Sequence, residues 1–367
     1  MYKIRVHLIL IFAFCLTACN QASKDSKSQF GSSSLSIPEF VRPVVDTIGF
    51  AQYDWQMDSI INRLNARIKI DRRNEWKTVI APHDDYKYAG EVTYQALSGI
   101  HAKTVILFGV AHKARNFNLE DRIIFGSFTH WDAPYGKIKV SGIQNEILKK
   151  LPENLWMVHD SMQMVEHSLE ALTPFLQYQD REVEIIPILV PYMSFDRMDE
   201  ISESLSKVLD EIIHERGLTF GKDLAMVISN DAVHYGDEDW GGKNMAPFGT
   251  DSLGNEKARH LDQEIIENCL KGNITKKKVN RFVKYTVQES DYREYKWTWC
   301  GRYAIPLGLL TANRLNERLF NQPVNGQFLS YANSIDHLLY PVEDLGMGTT
   351  APANPRHWVG YVGMGYK

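Results

Sequence analysis

The sequence predicts an α/β fold in which helices cover one mainly parallel sheet. Short, continuous apolar runs alternate with longer segments that repeat apolar residues at helical spacing. Such runs are typical of strands that are buried on both faces of a parallel sheet. Between residues 41 and 367 the sequence has no second low-complexity linker, tandem repeat or block of charge, so we expect one large domain there.

The central strands are predicted at four apolar runs, residues 78–80, 103–110, 183–190 and 224–229. Helical spacing is found in residues 91–100, 142–150, 168–178, 195–214, 256–270 and 302–318. Residues 122–128 and 136–140 are predicted to pair as an antiparallel hairpin added to the sheet. Residues 357–366 alternate small and large side chains, which predicts a late strand.

Composition excludes several functional classes. The chain has 41 Lys and Arg residues and 45 Asp and Glu residues, which gives a formal net charge of −4. A protein that follows a phosphate backbone needs a strongly basic surface, so we expect no nucleic-acid partner. Hydrophobic residues make up 44% of the chain, too large a share for a disordered protein. The four cysteines are too few for a disulfide scaffold and lack the paired spacing of a zinc ribbon.

The N-terminus is predicted to be a processed leader. Lys3 and Arg5 precede an apolar run from Leu8 to Ala18, which is long enough for a signal peptide but too short to span a bilayer. The run ends in Leu-Thr-Ala followed by Cys19, which resembles the lipobox of bacterial lipoproteins. The resemblance implies that residues 1–18 are removed and that Cys19 is lipidated. The alternative is an ordinary secretory signal with an incidental cysteine.

Residues 19–40 are rich in serine and other polar residues, which predicts a flexible tether before the domain at residues 41–367. No later apolar stretch of the sequence approaches the length of a membrane span. We therefore expect a lipid-anchored protein of the bacterial cell envelope, outside the cytoplasm. Its expected partners are a membrane, through the lipid, and a small-molecule substrate.

Three predicted strands run directly into histidines. His83 follows the first predicted strand, His112 follows the second, and His234 comes shortly after the run at residues 224–229. In open parallel sheets, ligands bind at the carboxyl ends of the strands. A single histidine there is more often structural, but three in the same topological position indicate a shared site. Their imidazole nitrogens can converge on a metal ion.

Cys300 is the predicted further ligand. It lies directly before the predicted helix at residues 302–318, and a helix N-terminus favours a thiolate through its dipole and free N–H groups. Cys269 shares one helical face with Leu261 and Ile265, so we expect it to pack in the core. The alternative is a disulfide between Cys269 and Cys300, which would remove the thiolate from any metal.

The motifs that surround these residues resemble a known family. In order along the chain they are residues 81–90, 108–112, 166–176, 229–235 and 300–301. They recur in this order in Memo-like proteins, a group that includes the bacterial AmmeMemoRadiSam system protein B. The resemblance covers about residues 80–310, and five ordered motifs are far more specific than any one of them.

The resemblance implies a compact α/β domain around a pocket, similar to the class III, LigB-type extradiol dioxygenases. Matched residue by residue, it implies His83, His112 and Cys300 as metal ligands. It also implies that His234 and Asp231 line the same pocket, as candidate catalytic residues.

His167 is a third candidate catalytic residue, because it lies in the family's Glu-His-Ser segment. It either orients the site, acts as a general base, or is a buried, hydrogen-bonded histidine without a catalytic role. Two loops depart from the family. Asp84 and Asp85 stand where the family usually has Ala-Gly, and Lys113 stands where it usually has a further histidine. The two carboxylates either supply a hard oxygen ligand or form a solvated turn, and we expect the turn.

The donor set decides the predicted chemistry. Two histidines and one carboxylate suit ferrous oxygenases, whereas a soft thiolate at Cys300 favours copper(I), zinc or a thiolate-bound ferrous ion. We therefore predict one metal ion, iron or copper before zinc, and redox or oxygen-dependent chemistry on a small molecule. His234 or His167 would shuttle protons. Two alternatives stay open: a non-catalytic module that binds a peptide or an anion, and a zinc hydrolase with a histidine or Asp231 as base.

Overall fold

The structure of the protein, a computed structural model, describes residues 39–70, 73–336 and 339–367. The predicted leader, the predicted lipidation site at Cys19 and nearly all of the predicted tether lie outside the described residues. Residues 39–367 form one unit. Within its described part, none of the helices combines the length and the apolar character that crossing a membrane requires.

Strands and helices alternate along most of the chain, as the sequence predicts. The strands are β1 (Val41–Arg42), β2 (Thr78–Ala81), β3 (Thr104–Val110), β4 (Ile123–Phe125), β5 (His130–Trp131), β6 (Ile138–Val140), β7 (Trp156–Val158), β8 (Glu184–Val190), β9 (Leu224–Ser229), β10 (His234–Gly236), β11 (Gly272–Asn273), β12 (Asn325–Asn333) and β13 (His357–Tyr366). The helices are α1 (Asp54–Arg67), α2 (Tyr86–Leu97), α3 (Ile143–Lys150), α4 (Asp160–Gln163), α5 (Thr173–Gln179), α6 (Phe195–Arg216), α7 (Ser252–Ile265), α8 (Lys276–Thr286) and α9 (Ala304–Phe320). A π-helical turn, Ile266–Leu270, extends α7.

The centre of the sheet is parallel. Its strands lie in the order β6, β8, β3, β9 and β2, and each neighbouring pair in this order is parallel. Beyond β2, the strands β13, β12 and β11 continue the sheet in antiparallel pairing. The predicted α/β class and the predicted central strands are therefore confirmed, and the late strand at residues 357–366 forms as β13.

Two separate cores pack against the two faces of this sheet. Ile106 and Phe108 of β3 face the core that contains α6 and α9. Val105 and Leu107 of the same strand face the core that contains α1, α2 and α5. Because successive side chains of a strand point to opposite faces, both cores require apolar residues, and the strand is therefore apolar at every position.

The predicted hairpin between residues 122–128 and 136–140 is wrong. Strand β4 pairs in parallel with β7 and in antiparallel with β8. The hairpin partner of β6 is β5, with Trp131 opposite Ile138. A short connection favours the strand that is nearer in the chain. Strand β5 has only two residues, so it is too short to show a periodic pattern.

Two predicted helices begin later than expected. The helix predicted from residue 168 begins at Thr173, with Pro174 in its first turn. Proline suits this position because its missing N–H has no helical partner there. Residues 166–172 are therefore a loop. The helix predicted from residue 302 begins at Ala304. Both loops reach the edge of the sheet where the candidate site lies.

Candidate metal centre

Three neighbouring strands bring the predicted site residues to one edge of the sheet. β9 lies between β2 and β3 and is parallel to both, so the chain leaves all three strands at the same edge. His83 follows β2, His112 follows β3, and their ring centroids are 5.3 Å apart. β9 leads to His234, the first residue of β10. His83, His112 and Cys300 offer ligand atoms that all lie within 4.8 Å of one another.

Hydrogen bonds hold the segment around Cys300 against the end of β9. The Cys300 N–H donates to the Asp231 carbonyl at 3.2 Å, and the Asp231 N–H donates to Cys300 Sγ at 3.0 Å. The Gly301 N–H donates to Asn230 Oδ1 at 2.9 Å. A Cβ atom at position 301 would lie 2.4 Å from the same oxygen, so this close approach requires glycine. Cys300 therefore reaches the histidines through a contact between distant parts of the chain.

Cys269 and Cys300 are both free thiols, so the alternative of a disulfide between them is wrong. Cys269 is buried beside Ile265 in the core, as predicted. The expectation that a helix N-terminus stabilises the Cys300 thiolate is also wrong. Helix α9 begins only at Ala304. Burial, with the Asp231 carboxyl as the next cause, raises the pKa of the Cys300 thiol well above its ordinary value. A metal ion would have to displace the thiol proton.

The hydrogen bonds of His83 determine which of its nitrogens faces the site. Ser229 Oγ donates its single proton to the Ser168 carbonyl at 2.6 Å. In the 2.7 Å contact between His83 Nδ1 and Ser229 Oγ, the donor is therefore the ring Nδ1–H. Burial lowers the pKa of His83 well below its ordinary value, so the ring is neutral and Nε2 carries the lone pair. Nε2 lies 3.6 Å from Cys300 Sγ and 3.3 Å from Asp231 Oδ2.

Glu166 orients His112 in the same way. Its carboxylate accepts from His112 Nδ1 at 2.8 Å and from the backbone N–H groups of His112 at 2.7 Å and Ser168 at 2.9 Å. Burial by itself raises the pKa of Glu166, but His112, His167 and the Ser168 N–H together outweigh it and hold that pKa at about 2. An ionised carboxylate only accepts, so His112 Nδ1 is a donor and Nε2 is left as the ligand atom.

Sequence reasoning missed Glu166 as a site residue, although it lies in the same motif as His167. Its position directly before that histidine was the available signal. What the sequence did not show is the pairing with His112, which lies 54 residues earlier in the chain.

The predicted catalytic residues surround the three ligand atoms. The ring of His167 stacks on His112, with centroids 5.1 Å apart and 4° between the planes. Burial, followed by the neighbouring His112 ring, lowers the pKa of His167. Burial lowers the pKa of His234 to about 3. The buried Nε2 of His234 has no hydrogen-bond partner among the described residues.

Asp231 is the third predicted catalytic residue. Its Oδ1 accepts from the His83 N–H at 2.9 Å, and burial raises its pKa well above the ordinary value. Asp231, His234 and Cys300 also place ligand atoms within 4.8 Å of one another, and so do His112, Glu166 and His167. Each of these groups shares a residue with the first one, so all of them belong to one polar centre.

A cavity of about 260 Å³ opens beside this centre. His83, His112, His167, His234 and Asp231 line it, together with the aromatic side chains of Tyr88, Trp240 and Tyr361. Other aromatic residues near the motifs are in the core, where the indole N–H groups of Trp297 and Trp299 donate to the buried Asp262. The cavity therefore brings titratable side chains and aromatic side chains together in one space.

The expected solvated turn at Asp84 and Asp85 is wrong. Asp84 Oδ2 accepts from the Tyr361 hydroxyl at 2.6 Å. Asp85 is only 1% exposed and accepts from the N–H of Thr350 at 2.5 Å and from its hydroxyl at 2.9 Å. Burial, with Asp84 as the next cause, raises the pKa of Asp85 to about 7. Residues near the C-terminus cover this turn, which no local pattern predicts.

Comparisons with known proteins identify the family of this chain. The family described as "Memo-like protein" matches residues 51–344. The "MEMO1 family protein" of Aquifex aeolicus is 26% identical over 262 residues, which are 71% of this chain and 79% of that protein. "MEMO1 family protein PH1626" of Pyrococcus horikoshii is 25% identical over 293 residues, 76% of this chain and 89% of that protein. The family match spans most of the sequence, and this chain therefore belongs to the Memo-like protein family.

Proposed function

We propose that this Memo-like protein holds one metal ion through His83 Nε2, His112 Nε2 and Cys300 Sγ. With that ion it performs redox or oxygen-dependent chemistry on a small molecule. The observation that carries the proposal is the convergence of the three ligand atoms within 4.8 Å. The hydrogen bonds of Ser229 and Glu166 support it. Each is made by the Nδ1 atom of a histidine, which leaves the Nε2 lone pair of that histidine directed at the site, as hydrogen-bond partners of metal-binding histidines do.

The donor set fits iron or copper first, and zinc as the alternative. Two imidazoles and one thiolate are softer ligands than the oxygen atoms that magnesium and calcium prefer. When bound, such an ion supplies Lewis-acid or electron-transfer chemistry at the floor of the cavity. The nearly complete burial of His83 and Cys300 keeps bulk water away from it.

The surrounding residues supply proton transfer. The lowered pKa of His234 keeps its imidazole neutral, so an unprotonated ring nitrogen is able to accept a hydrogen bond from a molecule in the cavity. The raised pKa of Asp231 keeps its carboxyl protonated, so it is able to donate one. His167 stacks on His112 and thereby limits the orientation of that ring. The aromatic side chains of the cavity exclude water and orient a bound molecule.

Elemental analysis of the protein, purified without oxygen, tests the proposal. We expect about one iron or copper ion per chain and oxygen consumption with catechol-like compounds. Protein that stays free of metal under every loading condition would contradict it. Stoichiometric zinc without oxygen consumption would favour a hydrolase. Ligand binding by protein that takes up no metal would favour a non-catalytic binding module.

Glu166→Gln should weaken metal binding by about 10-fold to 100-fold. Glutamine cannot give an ionised acceptor to the His112 ring or to the backbone N–H groups of His112, His167 and Ser168, all of which donate to Glu166. Competition with a chromophoric chelator measures the change. Glu289→Gln is the matched control, since Glu289 is exposed and does not line the cavity. Wild-type metal affinity in Glu166→Gln would show that Glu166 does not orient a ligand.

We also propose that the chain is exported and anchored through a lipid on Cys19. The support is the leader-like sequence of residues 1–18 and the lipobox-like residues before Cys19. Labelling of growing cells with palmitate should mark the wild-type protein and not Cys19→Ala. Absence of label from the wild-type protein would contradict the proposal.

A further inference from the structure

A fully buried carboxylate on α7 joins three segments around the candidate metal centre. Asp262 is 0% exposed. Its Oδ1 accepts from the indole N–H groups of Trp297 at 2.8 Å and Trp299 at 2.7 Å. Its Oδ2 accepts from the Tyr331 hydroxyl at 2.8 Å and from the Val233 N–H at 3.4 Å. One side chain thus joins β12, the residue before β10 and a segment that ends next to the proposed cysteine ligand.

The space around the Asp262 carboxylate is closely fitted. A Cβ atom at position 360 of β13 would lie 2.8 Å from Oδ2 and 2.9 Å from the Tyr331 hydroxyl, so this approach requires glycine. The Gly360 N–H donates to the Val233 carbonyl at 2.8 Å, and the Gly360 carbonyl accepts from the Ala232 N–H at 2.7 Å. The backbone of β13 therefore lies directly against the carboxylate and limits where it can lie.

Asp262 holds both partners of one backbone pairing. Residues 231–234 lie antiparallel to residues 298–300, with Val233 opposite Trp299. Because Asp262 accepts from the Val233 N–H and from the Trp299 indole, it contacts both partners. The first segment ends at a histidine that lines the cavity, and the second ends at the proposed cysteine ligand. The carboxylate therefore controls how the two segments lie against each other.

Asp262 itself has no direct part in the site. It does not line the cavity, and within the described ranges it belongs to none of the residue groups that could share one ion. Burial raises the pKa of Asp262 to about 6, and the hydrogen bonds from the two tryptophans and Tyr331 oppose that rise. The carboxyl is therefore mostly ionised at neutral pH, a form that only accepts hydrogen bonds. It is suited to holding neutral N–H and O–H donors in place.

We propose that Asp262 is a positioning residue of the proposed metal centre. It holds the Cys300 thiol at the place where that thiol shares an ion with the two histidine ligands. Without an ionised acceptor, the two indole N–H groups lose their shared partner, and the segment before Cys300 becomes free to shift. The inference rests on the proposed function in taking Cys300 to be a metal ligand. The position of the thiol is nevertheless measurable in protein without metal.

The two buried thiols measure this effect. Metal-free, full-length protein is treated with iodoacetamide, and mass spectrometry of the digested chain follows the label at Cys300 and at Cys269 separately. Cys269 lies in the core, so its alkylation reports unfolding of the whole domain. Asp262→Asn should raise the ratio of the Cys300 rate to the Cys269 rate by about tenfold, because the segment opens locally while the core stays closed.

Asn255→Ala is the matched control. Asn255 is also a buried polar residue of α7, and it also accepts an indole N–H, that of Trp358 at 2.8 Å. Trp358 lies in β13 rather than next to the cysteine. We expect this variant to lose stability without a change in the ratio of the two rates. A wild-type ratio in Asp262→Asn, or an equal rise in both variants, would overturn the inference, because Asp262 would then contribute to stability alone.

A milder pair of variants keeps the test decisive if Asp262→Asn does not fold. Trp299→Phe removes one indole N–H that donates to Asp262 and keeps an aromatic ring, and Trp358→Phe does the same at Asn255. We expect the ratio to rise about threefold in Trp299→Phe and to stay unchanged in Trp358→Phe. In folded Asp262→Asn protein, adding Trp299→Phe should change the ratio little, because both changes remove the same hydrogen bond. Equal ratios in the two tryptophan variants would overturn the inference.

Cobalt(II) absorption separates this inference from the proposed function. Cysteine binds metal as the thiolate, and its bond to cobalt(II) gives a sulfur-to-metal charge-transfer band. We expect this band in wild type and in Asn255→Ala, and a weaker band with about tenfold lower cobalt affinity in Asp262→Asn. Wild-type protein that lacks the band but shows the expected thiol rates would support the inference and contradict the proposed function. A wild-type band and affinity in Asp262→Asn would do the reverse.

Discussion

Cys300→Ser and His83→Ala should each leave the purified protein essentially without bound metal, with affinity reduced by about a hundredfold or more. Serine is a harder, protonated donor in place of a soft sulfur ligand. Its hydroxyl still accepts from the Asp231 N–H, which donates to Cys300 Sγ at 3.0 Å in the wild type, so the loop keeps its main contact. Alanine at position 83 removes the imidazole whose Nε2, the proposed metal-ligand atom, lies 3.6 Å from Cys300 Sγ. Elemental analysis after anaerobic purification measures both losses.

Cys269→Ala is the matched control for the thiol. Cys269 is also buried and free, but it lies in the core rather than at the cavity. We expect this variant to keep its full metal content with a modest loss of thermal stability. Full metal content in both Cys300→Ser and His83→Ala would show that the metal is bound elsewhere in the protein.

Arg42→Met should lower the free energy of unfolding by about 3–5 kcal/mol, because it leaves a buried carboxylate without its cation. The Arg42 side chain is 0% exposed and pairs with Glu170 at 2.8 Å. It also donates to the carbonyls of Gln163 at 2.8 Å and Glu166 at 2.5 Å, and it lies 4.2 Å from the ring centre of Trp131. The loss should therefore also loosen the loop that carries Glu166.

The pH dependence of this loss identifies its cause. Burial raises the pKa of Glu170 and Arg42 opposes that effect, so Arg42→Met should raise the pKa further. A folded-state pKa above the unfolded value means that the folded state holds the proton more tightly. Stability then falls as pH rises from the ordinary carboxyl pKa through the folded-state pKa. The difference between wild type and variant should accordingly shrink in acid.

Denaturant unfolding at several pH values measures this difference. Arg216→Met is the matched control, because Arg216 pairs with Glu146 at the surface and its side chain is 44% exposed. We expect that variant to lose about 1 kcal/mol or less. Arg42→Met and Glu170→Met combined should cost less than the sum of the single changes. A pH-independent loss in Arg42→Met would instead attribute the effect to packing against Trp131.

Most of the parallel centre was predictable from local sequence. β2, β3, β8 and β9 are buried at nearly every position, so each is a continuous apolar run that needs no knowledge of its neighbours. The positions of His83 and His112 directly after two of these runs indicated a shared edge. Cys269 was likewise predictable as a core residue, because its spacing from Ile265 places both on one helical face.

Other features arise only when distant segments meet. Glu166 is 54 residues from His112, and Asp85 is 265 residues from Thr350, so neither contact leaves a periodic pattern in the sequence. The same reason explains why a solvated turn was expected at Asp84, whose partner Tyr361 comes from the last strand. The sequence alone thus determined the strands and the types of side chain at their ends. The tertiary structure decided which nitrogens face the cavity and which acids line it, because hydrogen bonds and burial between distant segments control both.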